Sequence, residues 1–293
     1  MPQCEAVAGT LYIVATPIGN LKDITHRALR VLGEVDLIAC EDTRRTRVLV
    51  NHFGIKTRTI SYHEHNERER AEQLCKFLAE GQSIAIVSDA GTPLISDPGF
   101  HIVRAAIEQG IEIISVPGPA AFVSALVASG LACDQFFFAG FLPARAKARR
   151  DQLEGLRAIP ATLIFYEAPH RIGRTLKDAL DILGDREAVV ARELTKIHEQ
   201  YLRGSLSVLS ERFRSKDVAR GEIVLMISGF APKGALTVTD PSKAGEDILR
   251  RIHELESEGV NSKEALKKAG REFGLKRAEA YRLMVAQKNL RSK

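Results

Sequence analysis

The segment Ile84–Gly99, IAIVSDAGTPLISDPG, limits the folds open to this chain more than any other stretch. Ile84, Ala85, Ile86 and Val87 are apolar without alternation, the pattern of a short strand buried on both faces, as in a parallel sheet covered by helices. Gly91, Pro93, Pro98 and Gly99 forbid its continuation and favour tight turns. Ligands of open α/β sheets bind where such strands end. The segment therefore reads as a ligand-approach loop, not as core.

Its neighbours repeat the pattern. Residues 10–130 alternate β-rich runs, at Thr10–Thr16, Asp36–Glu41, Thr57–Tyr62, Ser83–Asp89 and Ile111–Val116, with helical periodicities such as Asn66–Glu80. In that helix Ala71, Leu74, Cys75 and Leu78 share a face and Gly81 supplies the stop. The next helix is predicted with Asp97 as N-cap, Pro98 at its first position and Gly110 past its end. Five such units in a row imply a doubly wound parallel sheet. After Leu131 come strand candidates at Phe136–Phe141, Thr162–Glu167, Ala188–Leu194 and Glu222–Ser228, with helices near Lys147–Leu156 and Pro169–Leu183. Ala231–Pro241 reads as a linker. Beyond it, Ile248, Ile252 and Leu255 form one stripe, Ser262 caps a run containing Ala265 and Leu266, and a Gly274 turn leads to Ala278, Tyr281, Leu283 and Val285, a helix-turn-helix-like pattern. The expected organisation is an α/β domain at 1–130, a second at 131–232, and a basic helical module at 241–293.

The net charge of +5 is unevenly placed: Pro241–Lys293 holds 13 Lys and Arg against 8 Asp and Glu, whereas residues 1–240 balance at 29 of each. A polyanion contact in the tail is the expectation. No apolar run is long enough for a bilayer span, and no basic-then-apolar leader opens the sequence, so a cytosolic setting without membrane insertion is predicted. Cys4, Cys40, Cys75 and Cys133 are scattered with no CxxC pair, and are read as buried or inert thiols.

The first strand ends in ATPIGNL with a single glycine, so the GxGxxG dinucleotide fingerprint is absent. The GxxxxGK[ST] and GxSxG signatures are absent too. Three turns nevertheless follow strands at one end of the sheet: ATPIGN, SDAGTPLISDPG and VPGPAA. Parallel strands share direction, so these turns converge on one crevice.

Together with CEDTRRT (Cys40–Thr46), HEHNE (His63–Glu67), FYEAPHRI (Phe165–Ile172) and RELTKIHE (Arg192–Glu199), these turns resemble the tetrapyrrole methylase superfamily of S-adenosylmethionine-dependent methyltransferases, in particular its branch acting on small-subunit ribosomal RNA. The resemblance covers roughly residues 10–230. It implies two α/β domains, the first with a five-stranded parallel sheet and the second with a mixed sheet, a homodimer, and S-adenosylmethionine held between the domains. It also implies methyl transfer to the ribose 2′-oxygen of a decoding-centre cytidine in 16S rRNA. Carried over by position, the cofactor contacts are Pro17, Ala90, Gly91, Thr92, Ile95, Pro119 and Ala120 from the first domain, and Tyr166, Glu167, Glu222 and Ile223 from the second. Thr92 stands where the superfamily has an aspartate.

Abstraction of the ribose proton needs a base, and Glu41, Asp42, His63 and Glu64 are the candidates. CEDTRRT sets an acidic pair beside Arg44, Arg45 and Arg47, which suits loop ordering or phosphate contact; with the resemblance, substrate contact is favoured. His63 and His65 share a strand face if the strand extends that far, but no third ligand joins them, so no metal is expected and they are assigned, with Asn66, to RNA or local hydrogen bonds. Arg145, Lys147 and Arg149, and Lys276 and Arg277 in the tail, complete the expected RNA-facing set. Two rivals stand beside this reading: a methyltransferase for a small precorrin-like tetrapyrrole, and a non-enzymatic RNA-binding protein on the same fold.

Overall fold

The computed structural model describes residues 9–214, 221–230, 244–273, 275 and 280–285. The linker at 231–241, Cys4, Gly274, Lys276, Arg277 and Ala278 lie outside these residues. The chain forms two compact units, Met1–Gly229 and Phe230–Lys293.

In the first unit, β1 (Thr10–Val14), β2 (Leu37–Cys40), β3 (Thr59–Ser61), β4 (Ile84–Val87) and β5 (Glu112–Val116) form one sheet in the order β3-β2-β4-β1-β5. All pairings are parallel. Side chains of a strand alternate between faces, and each face here has its own helices. Tyr12, Val14, Ile38, Cys40, Ala85 and Val87 pack with α1 (His26–Glu34) and α2 (Thr43–His52). Leu11, Leu37, Ala39, Ile84 and Ile86 pack with α3 (Glu67–Ala79) and α4 (Phe100–Glu108). The continuous apolar run of β4 is thus explained: both of its faces are buried.

A second sheet has the order β6-β7-β10-β8-β9, built from β6 (Phe136–Phe141), β7 (Thr162–Glu167), β8 (Glu187–Arg192), β9 (Gln200–Ser205) and β10 (Ile223–Ile227). Only β6 and β7 are parallel; the other three pairings are antiparallel. Leu163, Phe165, Val190, Leu225 and Ile227 face α6 (Ala146–Leu156), α7 (Ile172–Leu183) and α8 (Leu206–Arg212). On the opposite face Ile164, Val189, Val224 and Met226 meet Ala125 and Leu126 of α5 (Ala121–Val127), and also Ile18 from the turn after β1. The first turn of the first sheet is therefore packed directly against the second sheet.

In the second unit, α9 (Ala244–Ser257) and α10 (Ser262–Glu272) bury Ile248, Ile252, Leu255, Ala265, Leu266 and Ala269 against one another. Asn261, not Ser262, caps α10: its side chain accepts from the Glu264 amide at 3.0 Å.

Several sequence expectations change. Strand β9 and helix α8 have no counterpart among the sequence expectations: QYLRGS has one buried side chain, Leu202, and no apolar periodicity. Helix α4 starts at Phe100 with Gly99 as its cap, so Asp97 and Pro98 stay in the preceding loop. Strand β3 ends at Ser61, so His63 and His65 sit in a turn and do not share a strand face. Cys40 and Cys75 are buried, but Cys133 is exposed.

Arg149, expected to face RNA, is 4 % exposed. Its guanidinium pairs with Asp178 at 2.6 Å and donates to the Pro143 and Ala144 carbonyls. It lies on the inward face of α6, where it ties that helix to α7. Removing Arg149 takes the buried donors from Asp178 and from the Pro143 and Ala144 carbonyls, leaving Asp178 only Arg150 at 2.7 Å, at a cost of about 2 kcal/mol. Arg149→Ala should accordingly lower the urea midpoint markedly, whereas Lys147→Ala on the exposed face should leave it unchanged; equal midpoints would contradict this assignment.

Candidate active site

The three turns converge as the parallel topology demands. After β1, Thr16 pairs with Gly91 in an isolated antiparallel bridge: the Thr16 amide donates to the Gly91 carbonyl at 2.8 Å and the Gly91 amide to the Thr16 carbonyl at 3.0 Å. Gly91 has φ 84°, a left-handed conformation that glycine adopts without steric cost. The Thr92 hydroxyl donates to the Pro119 carbonyl at 3.1 Å, tying the second turn to the third. The residue that departs from the superfamily's aspartate is thus a staple between turns.

The loop from Thr92 to Gly99 is held in an unusual shape. Leu94 and Ser96 take φ of 72° and 66°, sparsely populated for non-glycine residues and found chiefly where surroundings over-determine them. The anchor is Glu67 of HEHNE. Its buried carboxylate accepts from the amides of Gly99 and His101 at 2.9 and 3.1 Å and from the Tyr62 hydroxyl at 3.2 Å, supplying the acceptors that the start of α4 lacks. Burial pushes the Glu67 carboxyl up, but these donors outweigh it and hold it below its ordinary value.

A fourth segment joins through Asp89. Its carboxylate accepts from the Asp42 amide at 3.0 Å and pairs with Arg45 at 3.3 Å, drawing the CEDTRRT turn to the end of β4.

These turns and the edge of the second sheet enclose a cavity of about 380 Å³. Of the residues carried over as cofactor contacts, Ala90, Gly91, Thr92, Ile95, Ala120, Tyr166, Glu167, Glu222 and Ile223 line it. Pro17 lies in a smaller adjoining cleft, and Pro119 contributes through its bond from Thr92. The Glu167 side chain is spent internally, accepting from the Ala168 amide, Arg171 and Thr175. These bonds lock that part of the wall.

Of the four candidate bases, Glu41 alone lines the cavity. Asp42 caps α2 and is chelated by Arg44, which holds its carboxyl down at about 2. Glu64 is exposed, and the His63 ring lies 3.4 Å from the Asn66 amide and edge-on to His65. Asn66 is half-buried, and its side-chain oxygen accepts from the His63 amide at 2.8 Å. Arg45 reaches the cavity wall, while Arg44, His65, Arg145 and Lys147 are exposed away from it.

Two carboxylates outside the expected site residues complete the wall: Asp89, and Asp97, expected only as a helix cap. Burial, reinforced by the Glu41 charge, pushes the Asp97 carboxyl up to about 7. Burial and the Asp89 charge also raise Glu41, against the pull of Arg45. The available signal was the polarity of SDAGTPLISDPG itself: an aspartate next to Gly-Thr-Pro and another before Pro-Gly, both in a turn destined for a buried edge. Phe122, Phe141 and Tyr166 supply the apolar side, and burial pushes the Tyr166 phenol up to about 12, so it stays a neutral donor. A mostly apolar concavity with a few fixed polar groups is the form of a small-molecule site.

The model of the Tetrapyrrole (Corrin/Porphyrin) Methylases matches residues 10–210. The chain is 46% identical over 278 residues to the ribosomal RNA small subunit methyltransferase I of Halalkalibacterium halodurans, covering 94% of each chain. It is 49% identical over 245 residues to the protein of that name from Pseudomonas aeruginosa, covering 83% of this chain and 87% of the relative. Among solved structures, uroporphyrin-III-C-methyltransferase from Thermus thermophilus aligns with TM-score 0.56 at 20% identity over 75% of this chain and 94% of its own. A diphthine synthase aligns with TM-score 0.59 at 16% identity over 75% and 90%. These likenesses bear on fold.

The raised Asp97 carboxyl has a consequence for stability. Between about pH 4 and 7 the folded chain holds a proton that the unfolded chain has released, so this group's contribution to stability falls as pH rises through that window. The stability of Asp97→Asn relative to wild type should rise from pH 4 to pH 7 and then level off, read by urea unfolding at each pH. A pH-independent difference would contradict the assignment.

Proposed function

Since the chain belongs to the tetrapyrrole methylase family, with close relatives named ribosomal RNA small subunit methyltransferase I, we infer that it is an S-adenosylmethionine-dependent methyltransferase of 16S rRNA, modifying the ribose 2′-oxygen of a decoding-centre cytidine, C1402. The observation that carries the reading is the cavity at the converging turns, seen beside the identity to those relatives over nearly the whole chain. Likeness to a tetrapyrrole enzyme stays at 20% identity, which favours RNA over a corrin-like substrate.

The residues present fit the cofactor. Glu41, Asp89, Asp97 and Glu222 outnumber Arg45 on the wall, a balance suited to a cationic sulfonium, and the Phe122, Phe141 and Tyr166 faces suit a purine ring. When bound, S-adenosylmethionine supplies an electrophilic methyl group that passes in line to the ribose oxygen. The chain's own part is to position both reactants, exclude water and take up the proton. Asp97 is the proposed acceptor of the 2′-hydroxyl proton: it lies on the cavity wall, and a carboxyl titrating near the working pH is suited to that role. Glu41 keeps Asp97 basic through its charge.

In this reading residues 1–130 supply the cofactor turns and 131–232 the covering sheet. Arg44, Arg45, His65, Arg145 and Lys147 meet RNA, and the basic module 241–293, with Lys276 and Arg277, adds phosphate contacts. The enzyme works as a cytoplasmic homodimer. Exposed apolar side chains at Val123, Val127, Phe136 and Phe137 support self-association. Among the described residues no helix is long and apolar enough to cross a membrane.

Mass mapping of 16S rRNA from cells lacking the protein should show loss of one methyl group on a single cytidine, restored by the purified protein with labelled S-adenosylmethionine; an unchanged rRNA would overturn the reading. In the same assay Asp97→Asn should slow methyl transfer by about 100-fold or more and abolish the rise of rate with pH near 7. Glu64→Gln should have no effect. Full activity of both Asp97→Asn and Glu41→Gln would overturn the assignment of the proton acceptor to this pair.

A further inference from the structure

A second concavity, of about 660 Å³, lies between α7 and α8 on the far side of Pro169, a residue that also lines the catalytic cavity. Its base exists because Gly173 lets the end of α8 close in: a Cβ at that position would lie 2.5 Å from the Phe213 carbonyl oxygen. FYEAPHRI leads from one concavity to the other, with Tyr166 to Pro169 on the catalytic wall and His170 opening the groove.

The charge of the groove is not self-compensated. Its two acids are engaged: Glu211 with Arg214 at 3.1 Å, and Asp181 with Arg150 at 3.3 Å. Arg174 and Lys177, three residues apart on α7, and His170, two residues before it, are exposed at this groove, and none has an acidic partner among the described residues. At 1.5 Å of rise per residue Arg174 and Lys177 stand about 4.5 Å apart along the helix. Two uncompensated cations in a groove, next to a site for a ribose, match a sugar–phosphate backbone, whose binding depends on neutralising successive phosphates.

We propose that this groove carries the backbone of the substrate rRNA strand flanking the target nucleotide, with Arg174 and Lys177 as phosphate contacts and Pro169 marking where the strand turns toward the catalytic cavity. The proposal rests on the rRNA methyltransferase reading above. It adds a contact surface separate from CEDTRRT and from the basic module.

The test compares wild type, Arg174→Gln/Lys177→Gln and Arg174→Glu/Lys177→Glu, full length, using small ribosomal subunits as the probe. The salt dependence of binding, KM and kcat for methyl transfer, S-adenosylmethionine affinity and the thermal midpoint are each measured. Charge removal should reduce the slope of log K against log salt by about 1.4, the value for two single-strand phosphate contacts. It should also raise KM for the subunit about tenfold or more with kcat nearly unchanged, and reversal should do so more strongly. Cofactor affinity and thermal midpoint should not move, since both side chains are exposed. Wild-type binding with unchanged slope and KM in both variants overturns the groove assignment alone, as does a fall confined to kcat. Failure of the wild-type protein to bind or methylate the subunit overturns the functional reading, and the groove assignment with it.

Discussion

Thr16 and Gly91 exchange two backbone hydrogen bonds across the ends of β1 and β4, and the rest of the site is arranged about that exchange. It needs a residue at φ 84° in the second turn, which selects glycine, and it fixes how far each turn projects beyond the sheet. Thr92 then reaches the Pro119 carbonyl, Asp89 reaches the Asp42 amide, and Ile18 two residues after Thr16 packs on the second sheet. A parallel sheet makes such turns neighbours; these bonds convert neighbours into one wall. Buried backbone groups that would otherwise lack partners are satisfied in the process.

Charge placement follows from the same geometry. Besides the internally bonded Glu167, four carboxylates line a cavity with one guanidinium, a costly arrangement for an empty apolar site and a favourable one for a cationic ligand. The raised carboxyls of Glu41 and Asp97 record that cost. Glu67 and Glu167 show the contrasting use of buried acid. Each accepts several internal donors and serves to lock a segment, Glu67 the start of α4 and Glu167 the link from β7 to α7.

The parallel sheet was legible because IAIV, buried on both faces, cannot occur in a half-solvated strand, and the converging turns were legible because direction is shared. Thr92 and the second-sheet contacts came from resemblance, and Tyr166, Glu222 and Ile223 line the cavity. What failed did so where identity alone does not determine side-chain direction. Arg149 sits in a basic run whose other members are exposed, yet its phase on α6 turns it toward Asp178. Asp97 looked like a helix cap because Asp-Pro commonly starts helices, but the left-handed Leu94 and Ser96 and the grip of Glu67 on Gly99 delay α4 to Phe100. HEHNE offered His63 and Glu64 as candidate bases, whereas its last residue, Glu67, holds the loop.

The central claim, that the bonded turns build a site for S-adenosylmethionine, is tested most directly by calorimetric titration of that cofactor into the intact protein and into Gly91→Val. A β-branched residue at φ 84° is a steric outlier and displaces the turn. The account predicts one site per chain in the wild type and binding weakened by more than about tenfold in the variant. No binding to the wild type, or equal affinity in the two folded proteins, would contradict it.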